Sequence, residues 1–114
     1  MCEKAKVEKI TSGEQVSLER FVTQVNTVSN VKDNSDELFK RMLISFKNGY
    51  SLSVIKGEYS YGGSEGFYEI APKNKSGALD GSLFDDEDKG DDVLGWCDED
   101  RVKYYVNKIG NLSV

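Results

Sequence analysis

Between Met42 and Val54 apolar and polar side chains alternate in two runs. Met42, Ile44 and Phe46 form the first, and Tyr50, Leu52 and Val54 form the second, after Asn48-Gly49. A period of two predicts a pair of antiparallel strands joined by a tight turn. Counting decides the register. A two-residue Asn-Gly loop pairs Phe46 with Ser51 and sends the two apolar sets to opposite faces. A three-residue loop, Lys47-Asn48-Gly49 with Gly49 left-handed, pairs Phe46 with Tyr50, Ile44 with Leu52 and Met42 with Val54. Every large side chain then shares one face, so this hairpin is expected.

Elsewhere the period lengthens. Within residues 14–28, Leu18, Phe21, Val22, Val25 and Val28 follow i, i+3, i+4, i+7 spacing, which predicts a helix capped by Ser17. The β-branched Val22, Thr23, Val25, Thr27 and Val28 argue against it. Residues 29–34 read as a polar turn. Asn34 with Glu37 suggests a capping box for a short helix over 35–41. Residues 67–71 read as a strand that Pro72 should end. Residues 73–92 read as a long loop anchored by Leu79, Leu83 and Phe84, and 93–96 as a short strand. Asp98 caps a helix to about Ile109, with Glu99 and Asp100 at its positive end and Val102, Tyr105, Val106 and Ile109 as its buried stripe. Gly110 reads as its C′ terminator, and Cys97 with Val102 as a hydrophobic staple. The expected fold is α+β: a small antiparallel sheet built on the 42–55 hairpin, a C-terminal helix over about 98–109, and one or two N-terminal helices. Residues 1–114 form a single domain in this reading. Residues 1–41 are a helical segment added to a ββ(β)βα core over 42–114.

Composition narrows the chemistry. Apolar residues make up 38 % of the 114 and charged residues 31 %, enough with Trp96, six Tyr and five Phe for a small folded core. No apolar run approaches the roughly 18 residues that span a bilayer. The N-terminal Met-Cys-Glu-Lys lacks a secretory apolar region, so a cytoplasmic location is the expectation. Cys2 and Cys97 are then expected as free thiols, with Cys97 packed beside Trp96. The chain has no histidine. That excludes Ser–His and Cys–His nucleophilic sites and imidazole metal sites.

Charge is segregated. Ten acidic side chains lie between Asp80 and Asp100 and only Lys89 opposes them, a formal −9 against −5 for the whole chain. Three readings compete for Asp80, Asp85, Asp86, Glu87, Asp88, Asp91 and Asp92. They solvate a loop, imitate the phosphate spacing of nucleic acid, or hold a cation. An EF-hand started at Asp85 puts Lys89 and Trp96 at ligand positions, so that motif fails. The acids lie among few apolar neighbours that would shift a carboxyl pKa, which argues against paired-carboxylate catalysis. Tyr59 and Tyr61, on a glycine-bearing segment, read either as interface anchors or as cover for the sheet. Gly62, Gly63 and Gly66 match no phosphate-loop pattern.

The stretch Ile44-Ser-Phe-Lys-Asn-Gly-Tyr-Ser-Leu-Ser-Val-Ile-Lys-Gly-Glu-Tyr-Ser-Tyr-Gly-Gly, with Phe67-Tyr-Glu-Ile-Ala and Gly90-Asp-Asp-Val-Leu-Gly-Trp, resembles small accessory proteins of bacterial viruses across about residues 42–112. Those proteins have no established activity, so the resemblance assigns no residue a role. It implies a setting, the cytoplasm of an infected bacterium. The expectation is a non-enzymatic, cofactor-free inhibitor of anti-CRISPR type that blocks a host nucleic-acid-processing or defence complex. Its partner is a host protein or nucleoprotein with a basic groove, rather than free nucleic acid or a membrane. The alternatives are an assembly accessory protein whose acid only solvates, and a weak calcium-binding module.

Overall fold

The computed structural model describes residues 17–35, 39–57 and 66–113. Five antiparallel strands lie side by side in chain order: β1 Val28–Asp33, β2 Phe39–Phe46, β3 Ser51–Gly57, β4 Tyr68–Lys73 and β5 Leu94–Cys97. Among the described residues two helices, α1 Leu18–Gln24 and α2 Glu99–Gly110, close one face of the sheet. The α+β class is therefore the one that the pattern predicts.

The hairpin adopts the three-residue loop. Ile44 pairs with Leu52 and Met42 with Val54. The Phe46 N–H donates to the Tyr50 carbonyl at 2.9 Å, and Gly49 has φ +96°. Met42, Ile44, Leu52 and Val54 are at most 1 % exposed. Asn48, at the loop's centre, is buried. Its Nδ2 donates to the carbonyls of Ile109 and Leu112 at 2.9 and 3.1 Å, and its Oδ1 accepts from the Tyr50 N–H at 3.1 Å. The turn thus donates to the carbonyl of Ile109 in the last turn of α2 and to that of Leu112 just beyond the helix.

The N-terminal half departs from expectation. Ser17 caps α1, its Oγ accepting from the Arg20 N–H at 3.3 Å, but the helix stops at Gln24 and Val25 is extended. The segment read as a polar turn is β1. A bulge between Val28 and Asn30 explains the error. In a regular strand, residues three apart face opposite ways. One extra residue restores Val28 and Val31 to the same face, opposite Phe46 and Ile44. The bulge gives a strand the i, i+3 spacing of a helix. Phe39–Arg41 belong to β2, so no helix over 35–41 exists there, and residues 36–38 lie outside the described set. The segment before residue 42 is therefore not wholly helical. Its β1 extends the sheet, and Leu18 and Val22 of α1 are fully buried in the same core.

Three smaller expectations are also corrected. Pro72 lies inside β4, opposite Leu52. Its carbonyl accepts from the Asp80 N–H at 2.9 Å, on the side away from β3. A residue's N and C=O face the same side of a strand, so the missing N–H costs no bond to β3. Gly110 is the last residue of α2 instead of a residue beyond it, and it is buried. Leu79 is 47 % exposed and bridges Lys73 through its backbone, so of the three expected anchors it is not one. Phe84 is buried and Leu83 partly so.

Candidate functional site

The acidic segment between β4 and α2 is an ordered loop. It carries two short 3-10 turns, Gly81–Leu83 and Asp86–Asp88. Phe84, 2 % exposed, drives this order by entering the core edge-on to Tyr105, with ring centroids 5.3 Å apart. Burial of that ring sets the acids that follow it, Asp85 and Asp88, against α2.

Asp85 and Asp88 turn inward. The Asp85 carboxylate accepts from the Tyr104 hydroxyl and from Lys108 Nζ, and the Asp85 N–H donates to the Tyr105 hydroxyl at 3.0 Å. The Asp88 carboxylate accepts from the Tyr105 hydroxyl and from Arg101 Nη2 at 2.5 Å, and its side chain is only 8 % exposed. Lys108 and Tyr104 hold the Asp85 carboxyl below its ordinary pKa. The Asp85 carboxylate pushes the Tyr104 hydroxyl up to about 12, and burial pushes Tyr105 up as well. Arg101, Tyr104, Tyr105 and Lys108 stand at i, i+3, i+4 and i+7, one stripe of α2 beside its apolar one. Sequence reasoning used Tyr105 only for the core and missed the other three. The signal was present: a helical stripe of hydrogen-bond donors following a run of acids.

The remaining acids divide again. Asp80 accepts from the N–H and hydroxyl of Ser82, which lower its carboxyl pKa. Asp92 accepts from the Gly81 N–H at 3.0 Å, and Asp91 from the Asp92 N–H at 2.9 Å. Gly81 lies so close to this limb that a Cβ there would sit 2.3 Å from the Asp91 carbonyl oxygen. Asp86, Glu87, Asp91 and Asp92 are exposed. Lys89 reaches Asp86 at 3.3 Å, but the Asp86 side chain is 99 % exposed, where water weakens such a pair. Asp98 caps α2, accepting from the Arg101 N–H at 2.8 Å. Among the described residues no three acidic or thiol side chains converge as a metal site requires. Tyr59 and Tyr61 lie outside the described residues.

Next to the loop that holds Asp88, β5 bulges. Tyr68 pairs with Cys97 and Ile70 with Leu94, so β5 carries one residue more than β4 across that interval. Trp96 takes the left-handed conformation, φ +59°, and is 61 % exposed. Cys97 turns inward, its Sγ donating to the Leu94 carbonyl at 3.6 Å. Trp96 packs against Phe67, with centroids 5.8 Å apart.

No protein-family model matches the chain, and no curated protein or solved structure is significantly similar to it. No helix among the described residues is long and apolar enough to cross a membrane.

Proposed function

We propose that the chain is a non-enzymatic inhibitor that occupies the basic groove of a nucleic-acid-processing complex, with Asp86, Glu87, Asp91 and Asp92 standing in for phosphates. One observation carries this reading: these four acids are exposed on a loop held in place by Asp85, Asp88 and Phe84. An acidic loop that only solvates needs no such pinning. An ordered one loses less conformational entropy when it meets a groove. In the infected-cell setting that the resemblance implies, the groove belongs to a host defence complex of the kind that anti-CRISPR proteins block.

The test is capture of the partner from bacterial lysate, followed by competition with duplex DNA and a salt series. Expected are displacement by DNA, steep weakening with salt, and loss of capture when Asp86, Glu87, Asp91 and Asp92 are all changed to Lys. Capture that survives this fourfold reversal overturns the reading. A second reading, an assembly accessory protein whose acid serves its own fold, is supported by the inward bonds of Asp85 and Asp88. It predicts that the fourfold reversal changes no binding at all.

A further inference from the structure

Trp96 is the least explained side chain in the fold. A bulky residue with positive φ is strained, and left-handed bulge positions ordinarily hold glycine. Gly95 is one residue away, yet the left-handed position falls on Trp96. The result is an indole turned out of β5, an edge strand, with Phe67 against it. It lines a cleft of about 320 Å³ together with Leu94, Gly95, Asp88, Asp98 and Arg101. Asp88 is engaged by Arg101, but Asp98 is exposed and a carboxylate has lone pairs left after one cap bond. Asp86 and Glu87 precede Asp88 in the loop and are exposed. An aromatic face beside the Asp98 carboxylate is complementary to a planar cation.

The geometry points to Trp96 as a stacking platform for an arginine side chain of the partner protein, with Asp98 pairing its guanidinium. This rests on the basic partner proposed above and names the contact that anchors it. Arginine fits better than lysine because its guanidinium is planar, weakly hydrated and able to stack while it bonds a carboxylate.

Trp96 is the only tryptophan, so its emission reports on this cleft alone. The probe is a short oligo-arginine peptide at low salt, with oligo-lysine of equal length as comparison. Oligo-arginine is expected to change the emission saturably and to shield the indole from a neutral quencher, and oligo-lysine to act more weakly. Trp96→Gly removes the ring and relieves the positive φ. It is expected to weaken oligo-arginine binding about tenfold by calorimetry without melting earlier. Asp98→Asn keeps a capping oxygen, removes the charge and is expected to weaken binding as well. Unchanged affinity in Trp96→Gly overturns the anchor and leaves the acidic-loop reading standing. Equal response to oligo-lysine overturns the stacking. A Trp96→Gly protein that melts as early as a core variant marks the ring as packing and overturns the proposal. No binding of oligo-arginine by the wild-type chain sinks both readings.

Discussion

Gly110, the last residue of α2, is buried against Thr27 and Phe46. It was expected to end the helix by taking a left-handed conformation, but it is not among the positive-φ glycines. Its requirement is space. A Cβ would lie 2.4 Å from Thr27 Oγ1 and 2.9 Å from Phe46 Cδ1. Alanine favours a helix over glycine by about 1 kcal/mol, while overpacking a tight contact costs about 1–3 kcal/mol. Gly110→Ala is therefore expected to lower stability, read as an earlier urea midpoint at an unchanged slope. A midpoint that moves later would show that the Thr27 side chain gives way freely.

Among the elements, the acidic loop and the donor stripe of α2 form one pH-sensitive joint. The Asp85 pKa is lowered in the fold, so its contribution is present above the ordinary carboxylate value near 4 and fades as pH falls through the lowered one. The Tyr104 pKa is raised to about 12, so its contribution is present below about 10 and fades as pH climbs towards 12. Near-ultraviolet circular dichroism should therefore change at both extremes. Asp85→Asn should be less stable at neutral pH and show a shallower acid limb. A wild-type acid limb shared in full by Asp85→Asn would remove Asp85 from the joint. The hairpin could be derived from sequence because one register alone puts all its large side chains on one face. The strand β1 could not, because its bulge replaces a period of two with a spacing of three. The joint was hidden for a different reason: Phe84 lies within the acidic run, and only its burial shows which acids face α2.

On the scale of the whole molecule, charge segregation along the chain is partly cancelled in space. Arg101 and Lys108 return positive charge to Asp88 and Asp85, which leaves a smaller outward acidic set than the sequence suggests. The core is likewise shared across the expected boundary at residue 42. Leu18 and Val22 are fully buried, and Phe21, Val25, Val28 and Val31 pack against the same core. Full burial of each aliphatic side chain is worth about 1.5–3 kcal/mol, comparable in sum to the whole stability of a small domain. A 42–114 fragment is therefore expected to melt without a cooperative transition. A fragment that melts as sharply as the full chain would make residues 17–41 an accessory layer.

Asn48 ties the most local element of this fold to one of its most distant. The ladder of the hairpin needs only neighbours in sequence, but its loop is completed by carbonyls 61 and 64 residues further along. Closing so large a loop is slow compared with zipping a hairpin. During folding, then, the strands of the hairpin can meet early while their turn stays unlocked. The end of α2 acts as the bolt, so an element that can form early becomes rigid late.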